Sequence, residues 1–371
     1  MSQQKIANRN LNFDILRIIA CVFVVVCHVS SVELSKVSIF TESYISSHIL
    51  NGIGHTGSII FLFLSGALLL SEDYEFQAKK FYLNNFLKLL VAYQAWVIIY
   101  NVIEVVWRGK FEWIYWKDVI INSIAGKACY HFWYLPVLLG IYLILPMLRS
   151  ICKDKKSVAG YFVGLFFVVQ ILFKTILLFD FPYKYLVDYL LNRIPYTLVN
   201  HYVGYFVLGY FLNWRIKEKK IKKQALFGAL LFFGGMVVGL LGDMFLSVKA
   251  GITVASFNDL FTLSSFLSGV GIFLWGNARS VTLGQKGRRV VEEISKLTFG
   301  IYVIHPLFME QILPLWDKMD VLPRFLLIII LVVITFVVSM IAVWLLSKIP
   351  IVNEWLLFCG KKQRKIEKKE A

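Results

Sequence analysis

The residues most able to do chemistry stand in the first apolar run, LNFDILRIIACVFVVVCHVS, which contains Asp14, Arg17 and His28. Asp14 and Arg17 are one helical turn apart, and His28 follows Arg17 by eleven residues. At about 100° per residue, eleven residues make three turns plus roughly 20°, so Arg17 and His28 share one face about 16 Å apart. A cation at one mouth and an imidazole deeper on the same stripe suit a ligand with an anionic head and a long arm. Acyl-CoA is such a ligand: a guanidinium holds phosphate in a forked geometry, and a pantetheine arm on the order of 15–20 Å delivers the thioester to the imidazole. His28 would then be general base on an acceptor hydroxyl. The alternatives are that Arg17 is a headgroup anchor paired with Asp14, and that His28 makes an interhelical hydrogen bond.

These residues need a membrane bundle to position them. The 371 residues are 58% hydrophobic and 17% charged, with a mean hydropathy of +0.69, too apolar for a water-soluble domain. The apolar residues fall in runs of about 20 without strict alternation, which predicts an all-α polytopic membrane bundle rather than a barrel. Ten membrane helices are expected, near residues 11–32, 53–71, 86–106, 132–151, 158–179, 197–214, 224–248, 256–276, 294–316 and 323–347. Asp14 and Arg17 inside a long first run argue against a cleaved signal peptide. A single membrane domain over 1–371 is expected, ending in a basic tail from about residue 358.

With the N-terminus in the cytoplasm, 24 of the 39 basic residues fall on inner segments and nine on outer ones, so both termini are expected inside. That asymmetry accounts for the net charge of +16 without nucleic-acid binding. The basic rim is an orientation signal, and a phosphorylated substrate is the competing use. The five cysteines show no paired spacing, so neither a disulfide framework nor a metal site is indicated.

Ionisable groups within a bilayer are functional candidates by default. Glu104, His131, His305 and Glu310 join the set, with Asp243 and Asp259 weaker because each lies near a helix end. Glu104, His131 and His28 all fall toward the outer side. The aromatics of residues 111–118 read as an interfacial belt, with a glycan platform as the other use.

In order along the chain, FDILRIIACVFVVVCHVS with its R-x10-H spacing, FLFLSGALLL around Ser65 and Gly66, HFWYLPVLLGIYLILPML from His131, and FGIYVIHPLF form one pattern. Together they resemble membrane-bound acyltransferase family 3, which acylates cell-envelope carbohydrates from cytoplasmic acyl-CoA. The resemblance implies that His28 is catalytic and that Arg17 contributes to acyl-CoA binding or transfer. The segment with His131, Trp133, Tyr134, Tyr142 and Pro146 is similar to the branch that O-acetylates surface polysaccharides, and Tyr302, His305 and Pro306 also recur in the family. Asp14, Glu104, His131, Trp133, Tyr302 and His305 are therefore expected to support the site or the acceptor.

The chain departs from the family at AKKFYLNNFLK, where many relatives carry R-x-x-R and this sequence offers Lys79, Lys80 and Lys88. Lysines bind phosphate as point charges without a planar fork. No fused esterase-like domain is expected. The resemblance implies an O-acyltransferase of a bacterial cell membrane. The expected donor is acetyl-CoA, with succinyl as a close variant, the expected acceptor is an envelope glycan, and no permanently bound cofactor is expected. The competing class is a carrier or exporter of a glycan or small solute, which predicts paired broken helices meeting at the midplane. The Gly-rich run of Gly234, Gly235, Gly239 and Gly242 has no counterpart in the first half. An orphan sensor would show no CoA dependence.

Overall fold

The computed structural model describes residues 9–359 apart from 110, 128, 155, 194–200, 219–222, 279–280 and 317–321. Lys5, the start of the expected 197–214 helix and the basic tail from residue 360 lie outside them. The described residues are helical and include no strand. The elements are α1 (Leu11–Leu34), α2 (Glu42–Leu69), α3 (Ala78–Trp107), α4 (Trp113–Ile124), α5 (Tyr130–Leu143), α6 (Leu145–Cys152) and α7 (Ser157–Ile176). They continue with α8 (Lys184–Arg193), α9 (Tyr202–Glu218), α10 (Gln224–Ala250), α11 (Ser256–Gly276), α12 (Gln285–Trp316) and α13 (Arg324–Leu346).

Among the described residues, seven helices are long and apolar enough to cross a bilayer, or eight when α5 and α6 count as one bent span. The other two of the ten expected segments are helices as well, α9 and α12. The described part of α9 is only 17 residues long. In α12 the charged start and the polar His305, Glu310 and Gln311 dilute the apolar run.

Contacts gather the connections at two ends. At the first end Lys217 meets Asp73 at 2.8 Å and Arg9 donates to the Glu292 carbonyl at 3.3 Å. At the second end Lys249 meets Asp180 at 2.5 Å and Thr253 donates to the Val37 carbonyl at 2.8 Å.

Three departures from the expected elements have physical causes. Helix α2 begins eleven residues before the expected start, because Thr41 caps it by accepting from the Tyr44 amide at 3.1 Å. Helix α2 thus buries polar residues that read as a loop, Ser46, Ser47, His48 and Asn51 of ESYISSHILNG, along with Thr56 of the expected helix. Its small residues let α2 lie hard against α1: a Cβ on Gly54 would stand 2.4 Å from the Cys27 Cα, and one on Gly57 2.6 Å from the Ala20 carbonyl oxygen.

The expected 132–151 helix is instead broken by 62° between α5 and α6. Pro146 has no amide hydrogen for the Tyr142 carbonyl. The Tyr82 hydroxyl takes over, donating toward the carbonyls of Tyr142 and Leu143 at 3.4 and 3.2 Å. Arg149 on α6 then caps the end of α2, donating to the carbonyls of Leu69, Ser71 and Tyr74.

Helix α12 starts nine residues early as an amphipathic turn pattern, with Arg288–Glu292 at 2.8 Å and Lys296–Glu293 at 2.6 Å. The core packs α1 against α2, α12 and α13, while α2 also meets α9 and α11. Helix α1 is thereby held on several sides, which fixes the stripe carrying Arg17 and His28.

Candidate active site along the first helix

Asn10 starts α1 by accepting from the Asn12 amide at 3.0 Å. One turn in, Asp14 is 1% exposed and gathers three donors. Arg9 reaches it with Nε at 2.5 Å and Nη2 at 2.8 Å, Arg17 Nη1 with 2.9 Å, and the Ser295 hydroxyl with 2.8 Å. Arg17 Nη1 also donates to Ser295 Oγ at 3.0 Å. Both contacts use one nitrogen, so Nε and Nη2 of Arg17 have no partner among the described residues. The sequence did not single out Arg9 or Ser295; the i,i+5 spacing of Arg9 and Asp14 across a helix start was the available signal.

A cavity of about 1750 Å³ opens beside this cluster. Arg9, Arg17, Lys88, Arg288, Lys296 and Lys348 line its charged part. Its deeper part is lined by Val24, Phe61, Tyr134, Leu135, Leu138 and Tyr302. Val24 lies one turn before His28 on α1, so the cavity runs along the α1 stripe and stops one turn short of the imidazole. Lys88 lines the cavity, as expected of a phosphate ligand, whereas the exposed Lys79 and Lys80 do not.

Beyond the deep end, three imidazoles meet from three parts of the chain. His28 stacks on His305 with ring centroids 5.3 Å apart and meets His131 at 6.4 Å, and His131 lies 5.4 Å from His305. Tyr130 packs edge-on against His28 at 5.0 Å.

The backbone sets the orientation of two of these rings. Pro306 leaves the Tyr302 carbonyl without its helical donor, and His305 Nδ1 sits 2.8 Å from that oxygen. His131 Nε2 lies 3.2 Å from the Val303 carbonyl, which also accepts from the Tyr100 hydroxyl at 2.7 Å. A carbonyl can only accept, so these two nitrogens carry the hydrogens. The opposite nitrogens, His131 Nδ1 and His305 Nε2, are buried without a hydrogen-bond partner among the described residues.

The Tyr302 hydroxyl donates to the His131 carbonyl, which ties α12 to the start of α5. Asn51 of α2 clamps the turn that carries His28, donating to Ser31 Oγ at 2.8 Å and to Ser30 Oγ at 3.3 Å. Asn51 lay inside the stretch that reads as a loop. His55, in electrostatic range of His28, fell inside the expected 53–71 helix and was likewise not singled out.

Two expected supporting residues lie elsewhere. Glu104 is exposed and pairs with Arg108 at 2.6 Å on its own helix. Trp133 stacks on Tyr202 at 5.0 Å, away from the histidines. Asp243 pairs with the fully buried His48 at 3.4 Å and accepts from the Phe257 amide at 2.7 Å, which joins α2, α10 and α11. Among the described residues no group of three or more His, Cys, Asp or Glu is arranged to hold a metal ion.

A family model described as an acyltransferase domain matches residues 10–344, nearly the whole chain. The chain belongs to membrane acyltransferase family 3. It is a membrane acyltransferase, and the match includes Arg17, Lys88 and all three histidines. Comparisons with curated proteins and with solved structures find no match.

Proposed function

We propose that this acyltransferase transfers an acyl group from acyl-CoA to a hydroxyl of an envelope glycan, with acetyl as the donor's acyl group. The observation that carries this reading is the cavity that runs from Arg9 and Arg17 to Val24 and Tyr302, one turn short of His28. Its volume exceeds that of an ordinary drug-sized pocket, as a ligand the size of acyl-CoA requires. Its charged end suits phosphates and its apolar end suits the acyl arm.

In this reading Arg17 holds donor phosphate through the nitrogens that Asp14 and Ser295 do not use, and Asp14 fixes its direction. His28 takes the proton of the acceptor hydroxyl as that oxygen attacks the thioester carbon. The carbon–sulfur bond breaks, the CoA thiolate leaves and is protonated, and the acceptor carries the new ester. His131, His305 and Tyr302 position His28 and the acceptor. A succinyl donor needs only one further cation near the acyl end.

The charge split supports an orientation with the Arg17 end and both termini in the cytoplasm, where acyl-CoA is available, and residues 107–131 outside. A cysteine probe in that segment is then labelled from outside intact cells, and one in the tail is not. The direct test of function is to incubate the purified protein with acetyl-CoA and measure free CoA. Slow release, abolished in His28→Ala, supports the enzyme; no release and no CoA binding contradicts it.

A further inference from the structure

The cations around the cavity are almost all neutralised by carboxylates. Asp14 serves Arg9 and Arg17, Glu292 serves Arg288, Glu293 serves Lys296 and Glu354 serves Lys88. Lys348 differs. It lines the cavity just past α13, with its Nζ 4.0 Å over the Trp344 ring, and no carboxylate lies within ion-pair distance among the described residues.

The acidic partners also differ in how they are held. Asp14 is buried under three donors, and Glu292 and Glu293 sit on the same helix as the cations they meet. Glu354 instead comes from the short turn Asn353–Leu357, which follows α13 and forms one wall of the cavity. That turn is anchored without Glu354: Leu357 is fully buried, Trp96 donates to the Leu356 carbonyl at 3.0 Å, and the Phe358 and Phe299 rings lie 4.9 Å apart. The Glu354 side chain is 40% exposed, with its Oε1 2.8 Å from Lys88 Nζ. Replacing it at Lys88 therefore moves a partly exposed side chain on an anchored turn.

We propose that Lys88 and Lys348 form an anion subsite for a phosphate of the donor, and that Glu354 is the internal carboxylate which that phosphate displaces. This rests on the acyl-CoA reading given above. A phosphate group, with more negative charge than one carboxylate and several acceptor oxygens, engages both ammonium groups where Glu354 engages Lys88. Donor binding then has a built-in competitor, which lowers affinity for CoA and speeds its departure after transfer.

The test is calorimetric titration of the purified full chain with CoA and, separately, with pantetheine, which lacks the phosphates. Removing one exposed ion pair corresponds to about a two- to five-fold change in affinity. Glu354→Gln should tighten CoA by that factor and leave pantetheine unchanged. Lys348→Ala, at an exposed side chain, should weaken CoA by a similar factor, and Lys348→Arg should restore it. Unchanged or weaker CoA binding by Glu354→Gln, equal tightening toward pantetheine, or no effect of Lys348→Ala overturns the subsite. If the parent does not bind CoA at all, the acyl-CoA reading fails with it; if the parent binds and the variants behave alike, only the subsite fails.

Discussion

The two ends of α1 handle polar groups in opposite ways. At the Arg17 end one buried carboxylate, Asp14, collects two guanidiniums and a hydroxyl, so each cation is aimed and partly neutralised. At the His28 end the imidazoles meet rings and backbone carbonyls, and no carboxylate pairs with His28, His131 or His305 among the described residues. A group that must only hold an anion is best fixed in charge and direction. A group that must take up and release a proton is better left without a permanent counter-charge, which would hold it in one state. On the proposed reading, the difference separates binding from chemistry along a single helix.

Variants of each end can break that separation. The largest effect is expected for His28→Ala, which should cost on the order of 10²–10⁴ in transfer rate while CoA affinity stays at the parent's value. Single-turnover transfer and a CoA titration on the same preparation check both halves. Arg17→Ala comes next: losing charge-assisted hydrogen bonds worth about 1.5–3 kcal/mol should weaken CoA binding by ten-fold or more. Arg17→Lys should recover only part, because an ammonium has no planar fork. If Arg17 merely anchors α1 through Asp14, Arg17→Lys would match the parent and Asp14→Asn would do as much harm as Arg17→Ala.

A smaller effect is expected for Tyr302→Phe, which removes the hydroxyl tied to the His131 carbonyl. With about 1 kcal/mol at stake, kcat should fall several-fold and KM for acetyl-CoA should hardly move. The smallest belongs to Glu104→Gln, whose exposed pair with Arg108 carries under about 1 kcal/mol. Its turnover and thermal stability should stay near the parent's.

Much of this arrangement was legible in the sequence because it follows from helical periodicity. Arg17 and His28 share a stripe by arithmetic, and each of the ten apolar runs is helical among the described residues. Convergence between helices was not legible. His131 reaches His28 while Glu104, equally plausible by depth, does not, because facing depends on packing angles that spacing along one helix leaves open. Lys79, Lys80 and Lys88 looked equivalent as phosphate ligands, yet only Lys88 turns toward the cavity. The early start of α2 was hidden because its polar and small residues are buried against other helices, where they read in sequence as solvent-exposed loop. The bend after Leu143 follows from Pro146, but its compensation by Tyr82 comes from a residue some sixty positions away.

The most direct test of the account titrates CoA into His28→Ala and Arg17→Ala side by side at low salt, with acyl transfer measured on both. The account predicts parent-like binding without transfer for His28→Ala, and weakened binding for Arg17→Ala, with transfer that recovers as acetyl-CoA is raised. Equal loss of CoA binding in both variants, or parent-like transfer by a folded His28→Ala, would contradict it.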